Sequence, residues 1–540
     1  MIRNYSLAPL GLFAMLVTGC TIDAGATTDE PVASVQQRDI LQDSQCPDFA
    51  EIPNVVVDHE LIVNNISVVN DKNVPDPTKE GCRTQWEKPG CPTESKNKWH
   101  FWYLMQNLAG TNNVSKFVLK WLESFEETPT VNNQLLMART KIRPVINLWR
   151  QLSGCAFTGT PKVDSDNCQL LPDKAPFRLL AIVNRTDLRV PSSAGSGYGN
   201  GRAGEGRIVF GMTNTTTGAP LAATVIFEYQ LPVQIFNTNP FGWTPLNWAS
   251  KWHALGPVTF SPTYNDNLQK ITDQFITAGK NLGGTNNGSA ISQVRVNEMA
   301  FDPRSFTSAN DPRQWSLREF KLGCPSGQTC TSNSMYLVNV PVNQTPASNT
   351  GGSVAQGGTG TPAYNQNQTT QLDDFLNKNK GTYSPMGTLI LGESHIVPDK
   401  HTFNGTTFDF RGAESLSNAL INTAGSSAFN WQYLNPLTAD PTTQDDVRRF
   451  FAIGTCNGCH YLETDTNNLH ISNRGPTAVS KLSPFLSADP TDTLGGSTTI
   501  IPDSNGNPVA FNEPRRRVCE FLNLLHGRSS LVSTTSGRAH

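Results

Sequence analysis

FRLLAIVNRTDLR (residues 177–189) decides how the fold is read. Its apolar residues run unbroken for five positions, Leu179 to Val183, and stop at Asn-Arg-Thr-Asp, which reads as a buried strand closed by a turn. Four further runs share that character: GRIVFGM (206–212), AATVIFEYQLPV (222–233), SMYLVNVPV (334–342) and GTLILGESHIV (387–397). Between and before them the period changes from two to about 3.6. Phe117, Trp121, Leu122 and Phe125 share one helical face. Ile142, Val145, Ile146 and Trp149 recur at i, i+3, i+4 and i+7, with Pro144 expected to kink that helix. A third helical pattern runs from Asp266 to Ala278. Mixed helices and strands with no internal repeat predict an α+β body.

A chain of 540 residues exceeds one simple core and predicts two or three domains. A net charge of −3 spread along the chain excludes the basic footprint that nucleic acid requires. Arg515-Arg516-Arg517 reads as a solvated helix face. At the start, MIRNYSLAPLGLFAMLVTGC has one Arg, an apolar run too short to span a bilayer, and small residues before Cys20. Val17-Thr18-Gly19-Cys20 resembles a bacterial lipobox, which makes residues 1–19 a signal peptide and Cys20 the lipidated residue. The alternative is an ordinary signal peptide with an incidental cysteine. Acyl chains contribute ~0.8 kcal/mol per buried methylene, so several make a stable membrane anchor. Thr21 stands where Asp would resemble an inner-membrane retention signal, so outer membrane is expected. Residues 20–45 are polar and aperiodic, as a tether should be, and 345–370 is a low-complexity loop.

Eleven cysteines suit an exported protein. With Cys20, Cys456 and Cys459 set aside, short loops suggest Cys82–Cys91, Cys155–Cys168 and Cys324–Cys330; Cys46 and Cys519 remain as the last pair.

The chemistry is concentrated in FAIGTCNGCHYLETDTNNLHISNRGP (451–476). Cys456-Asn-Gly-Cys459-His460 sets two thiols one helical turn apart, in reach of both vinyl groups of a haem, with the imidazole beside them to hold the iron. Competing readings are a Cys456–Cys459 disulfide beside an incidental histidine, half of a zinc site, or a thioredoxin-like redox pair. Zinc needs a second ligand pair, for which Cys519 and His526 are badly spaced, and a redox pair wants a βαβ context. Thr443 with Asp446 opens a helix whose Val447, Phe450, Phe451 and Gly454 lead into the motif. Asn512 and Pro514 open another, carrying Val518, Phe521, Leu522 and Leu525, with Gly527 as its stop.

Residues 441–530 resemble a class I bacterial cytochrome c domain in the helix leading into CNGCH, the Arg474-Gly475-Pro476 turn and the closing helix. The resemblance implies a small α-helical domain, after a body at 46–440 and before a tail at 531–540. It implies one covalent haem c on Cys456 and Cys459, His460 as proximal iron ligand, and a hydrogen bond from that imidazole to the Pro476 carbonyl. The chain departs from the family in having no Met after residue 386 to serve as distal ligand. His470 is the substitute within reach, at ~3.3 Å per residue of tether, although a His before such a turn resembles the family's structural loop bridge. His526 reads as compensating a helix dipole.

The body offers no comparable constellation. GSGYGNGRAGEGR (195–207) lacks the Gly-Lys-Ser/Thr of a phosphate loop, and Glu393-Ser394-His395 are strand neighbours facing opposite ways. Trp248, Trp252 and His253 read as a Trp-rich helix packed on the core. FRLLAIVNRTDLR, GEGRIVFG and CNGCH together resemble bacterial lipoproteins of uncharacterised activity, a likeness that supplies no reaction. The expectation is a membrane-anchored c-type cytochrome that transfers electrons to a redox partner protein. The alternatives are an oxidoreductase whose body is catalytic with haem as electron acceptor, and a haem-free, disulfide-stapled surface lipoprotein that binds glycan or protein.

Overall fold

The computed structural model describes residues 49–71, 81–132, 134–155, 167–189, 203–233, 243–280, 286–301, 315–343, 400–403, 405–409, 411–416, 455–460, 464, 466, 468–491, 500–502, 508–510 and 513–528. The leader with Cys20, the tether, Cys46, the 345–370 loop, the 387–397 run, Glu393-Ser394-His395, the helix expected before Cys456 and the 531–540 tail lie outside these residues.

The class expected from sequence is observed: helices flank one large antiparallel sheet. Its strands are β1 (Ile62–Val63), β2 (Phe177–Arg185), β3 (Glu205–Thr213), β4 (Pro220–Gln230), β5 (Ile291–Glu298), β6 (Ser316–Gly323), β7 (Tyr336–Val340) and β8 (Ser415–Leu416). They pair in the order β1-β2-β3-β4-β5-β6, and the outer edge of β6 takes both β7 and β8. The longer helices are α1 (Phe101–Ala109), α2 (Val114–Glu123), α3 (Arg143–Leu152), α4 (Pro245–His253) and α5 (Pro262–Ile276). Toward the C-terminus come α6 (Cys456–Cys459), α7 (Pro484–Ser487) and α8 (Glu513–Leu525). No described helix is long and apolar enough to cross a membrane.

Side chains alternate across a strand, and here the two faces differ in kind. One face carries Phe177, Phe210, Phe227 and Phe320 and is covered by α1 to α3. Phe101 stacks on Phe177 with ring centroids 3.7 Å apart, and Trp121 meets Phe320 edge-on at 6.0 Å. Such pairs add about 0.5–1.5 kcal/mol each beyond the area they bury. Pro144 does not kink α3. It sits in the first turn, where a missing N–H costs nothing. Trp248 and Trp252 of α4 are wholly buried, as a core-packed helix requires.

The other face is charged. Its cross-strand rows read Val183, Arg207, Glu228 and then Val209, Ile226, Arg295, Glu319, followed by Thr224, Asn297, Leu317. These charges are buried because the C-terminal segment lies over them: Cys459, Phe485, Leu486, Val518, Phe521 and Leu522 belong to the same apolar cluster as the body strands. Arg515, Arg516 and Arg517 are accordingly not a solvated face. They are 1, 3 and 4% exposed, since Arg516 and Arg517 turn inward to Glu513 and Arg516 also reaches Asp187. Gly527 follows α8 at φ +67°, a left-handed stop that glycine adopts without strain.

Three expected disulfides are present, Cys82–Cys91, Cys155–Cys168 and Cys324–Cys330. Cys519 is a half-cystine as well, and its expected partner Cys46 lies outside the described residues.

Candidate functional site

The Thr455 hydroxyl caps α6 by accepting from the Gly458 amide at 3.2 Å. One helical turn then sets Cys456 and Cys459 side by side, both buried. Cys456 packs with Trp315, Leu317 and Val342 at the β6 end of the charged face, and its Sγ lies 3.3 Å from the Asn343 carbonyl.

His460 ends that turn and is 5% exposed. Its Nδ1 donates to the Asn468 carbonyl at 3.0 Å. A carbonyl can only accept, so Nδ1 carries the proton and Nε2 the lone pair. Trp315 stacks on the ring, centroids 5.1 Å apart and planes 23° from parallel, which blocks rotation. Burial pushes the imidazole down to about 4, keeping it neutral at ordinary pH. Asn468 holds φ at +60°, a conformation asparagine tolerates better than most residues.

Pro476 is not the partner of His460. Its carbonyl accepts from Asn70 Nδ2 at 2.7 Å, which ties the loop to the body, and from Arg474 Nη1 at 3.2 Å within the loop. The carbonyl expected there comes from Asn468, eight residues along from the histidine.

His470 lies beside His460 with ring centroids 4.4 Å apart and planes at 59°. Imidazoles on opposite sides of one metal, each bonded at about 2 Å, need centroids more than about 6 Å apart. This placement therefore does not set His470 across from His460. Its Nε2 is 3.5 Å from Cys459 Sγ and its Nδ1 is 2.9 Å from Ser483 Oγ, while the Ser483 amide donates to the His470 carbonyl. These contacts make His470 a bridge between the two sides of the 470–483 loop. His526 pairs with Glu51 at 2.9 Å, away from the motif.

Both histidines open onto a recess against the charged face. Val183, Val209, Ile226, Leu317, Ile471, Phe485 and Leu486 supply apolar wall, and Arg185, Arg207, Arg295 and Arg517 supply guanidinium, against the single carboxylate of Glu228. Other carboxylates stand behind the wall: Asp187 on Arg185, Glu205 on Arg207, Glu319 on Arg295 and Glu513 on Arg517. Burial alone would raise Asp187, but Arg185 and Arg516 overcome it and hold the carboxyl well below its usual range. Glu228 moves the other way, because burial outweighs Arg207 and Arg295.

Among the described residues no three or more His, Cys, Asp or Glu are arranged to hold a bare metal ion. A zinc site would need such a set.

The pattern Cys-x-x-Cys-His signalled this neighbourhood, but Trp315, Asn468 and the arginine wall went unread. Arg185 and Asp187 stood in the opening stretch as an apparent strand-ending turn, and Arg207 stood in an apparent core strand. Compared with protein-family models, curated proteins and solved structures, the chain matches none.

Proposed function

We propose that this chain is a c-type cytochrome, carrying one haem joined through Cys456 and Cys459 with His460 as the iron's protein ligand. The observation that carries the reading is the prepared state of His460: neutral, fixed in one tautomer by the Asn468 carbonyl, stacked by Trp315, and adjacent in sequence to two buried cysteines. A carbonyl or carboxylate behind a metal-binding imidazole orients the ring and strengthens its donor nitrogen. The recess mixes apolar wall with a few placed cations, a lining compatible with a ligand that has both apolar and acidic parts. A haem held there supplies one-electron exchange. The chain's part is to bind it, exclude water with Phe485 and Leu486, and set its electronics through His460 and the surrounding charges. The proposal extends to the envelope: with Cys20 lipidated, the protein is anchored at the outer membrane and passes electrons to a partner there.

The test is an intact mass and a reduced pyridine haemochrome spectrum on full-length protein from a host with cytochrome c maturation machinery. One haem per chain is expected, lost when Cys456 and Cys459 are both replaced by Ser. Colourless protein whose Cys456 and Cys459 are joined as a disulfide refutes the proposal. Mass spectrometry of the same preparation reads the lipid on Cys20.

A further inference from the structure

Three guanidiniums of the recess wall keep donors in reserve. Asp187 takes Nε and Nη2 of Arg185 at 2.8 and 2.9 Å, and Glu205 takes Nε and Nη2 of Arg207 at 3.2 and 2.8 Å. Glu513 takes only Nε of Arg517, at 2.6 Å. Among the described residues, Nη1 of Arg185 and both Nη atoms of Arg517 make no hydrogen bond, and Nη1 of Arg207 has only the Glu228 carboxylate at 3.4 Å. The three residues are 2, 8 and 4% exposed, so bulk water does not meet the need. A guanidinium has five N–H donors, and a buried cation left short of partners is costly in free energy. Nor are two of the carboxylates devoted to these arginines, because Arg516 shares Asp187 with Arg185 and Glu513 with Arg517. Burial and then the neighbouring Arg185 push Arg517 down, which an anion in the recess would reverse.

Size and lining narrow what that anion is. The recess is small, about 70 Å³. A water molecule takes about 10–15 Å³ of such space, so roughly five or six non-hydrogen atoms fill it. Neither Cys456 nor Cys459 lines it, so the site is defined without the attachment thiols. Val209 and Ile226 of the sheet and Phe485 and Leu486 of α7 give it apolar wall. That wall disfavours a fully hydrated ion such as phosphate, because a polar group buried against it loses water without gaining a partner. A carboxylate on a short hydrocarbon stem satisfies both parts, and its plane matches an arginine fork bidentately.

We propose that the recess is a binding site for a short-chain monocarboxylate, with the carboxylate on Arg185, Arg207 and Arg517 and the hydrocarbon part against Ile226 and Phe485. The inference goes beyond the cytochrome reading and does not rest on it.

The test is titration calorimetry on the full chain, in buffer free of carboxylate and phosphate, with acetate, butyrate, butyramide and inorganic phosphate as probes. A Kd of about 100 µM or tighter is expected for butyrate, within what a ligand of that size can reach. Acetate should bind about ten-fold more weakly, since it lacks two methylenes to bury. Butyramide has the shape of butyrate without its charge and should also bind at least about ten-fold more weakly. Arg517→Gln should weaken butyrate about ten-fold and Arg517→Lys less, because the charge survives without the fork. Ile226→Phe fills the apolar part, leaves every arginine in place, and should abolish binding. No heat with butyrate at about 10 mM, equal affinity for butyrate and butyramide, or tighter binding of phosphate than of butyrate overturns the proposal. Unchanged butyrate affinity in either Arg517→Gln or Ile226→Phe overturns it as well. The acid–amide comparison needs no substitution, so it decides even if the variants misfold. Haem content is read separately, so failure here leaves the cytochrome reading where it stood.

Discussion

Replacing Gly211 by Ala should detach the 470–483 loop from the sheet. The β3–β4 register slips between Gly211 and Thr213, taking the Met212 carbonyl out of the regular ladder. Asn473 supplies what the ladder lacks. Its Nδ2 donates to the Met212 carbonyl and, at 2.9 Å, to the Leu221 carbonyl, while its Oδ1 accepts from the Arg474 amide at 2.8 Å. A Cβ on Gly211 would stand 2.0 Å from that Oδ1 and 2.3 Å from Cγ. The amide is held at both ends and cannot swing aside with its bonds intact. Overpacking of this kind costs about 1–3 kcal/mol. If Asn473 moves instead, its hydrogen bonds are lost at about 1 kcal/mol each, more where a carbonyl is left buried. The two routes together span about 1–4 kcal/mol, read as a lower urea midpoint at unchanged slope. A double-mutant cycle isolates the cause, because with Asn473→Ala already present Gly211→Ala should cost less than about 0.5 kcal/mol. Wild-type stability in the single Gly211→Ala variant, or an equal cost in both backgrounds, would refute the reasoning.

Two histidines should respond to pH in opposite directions. His100 caps α1 by accepting from the Trp102 amide at 3.1 Å, and burial pushes it down to about 4. Its folded value lies below the unfolded ~6.5, so its contribution is present above that and is lost as pH falls toward 4, at up to ~3 kcal/mol. His100→Asn keeps a cap and should flatten urea midpoints measured across that window; since His460 and His470 are also pushed down by burial, the difference from wild type is the readout. An undiminished slope in the variant would count against the cap assignment. His253 is raised by its hydrogen bond to Glu60 at 2.8 Å. That contribution is complete below ~6.5 and is lost as pH rises through the folded value. His253→Gln should therefore erase the part of the fall in thermal midpoint between pH 6 and pH 9 that this pair causes, and an equal fall in wild type and variant would dismiss it.

What could be read from sequence tracked how local each signal was. β2, β3 and β4 declared themselves as apolar runs, and α2, α3, α5 and α8 as 3.6-residue stripes. The three short-loop disulfides followed from proximity along the chain. β5 has no unbroken apolar run; Gln293-Val-Arg-Val-Asn297 alternates as a strand with one face in water does, yet both of its faces are buried inside the sheet. Its polar face is covered by residues more than 150 positions later, a contact no local window contains. The same blindness hid the partner of His460. The Gly-Pro turn drew attention to Pro476, whereas the accepting carbonyl belongs to Asn468, whose side chain gives no hint that its backbone is the part in use.

The arginine triplet shows why charge placement here is not a matter of stability alone. An apolar sheet face covered by an apolar helix would be at least as stable, because buried ion pairs roughly break even against hydrophobic packing of similar volume. The chain instead completes its network only when α8 docks: Arg516 bridges Asp187 and Glu513, and Arg189 reaches Glu520, joining residues more than 300 positions apart. Withdraw that helix and Asp187 keeps Arg185 but loses Arg516, leaving a buried carboxylate partly uncompensated at a cost of several kcal/mol. The apolar stripe of Val518, Phe521 and Leu522 would hold α8 on many surfaces. The charges select one surface and one register, which is what a recess shared between the two ends of a chain requires.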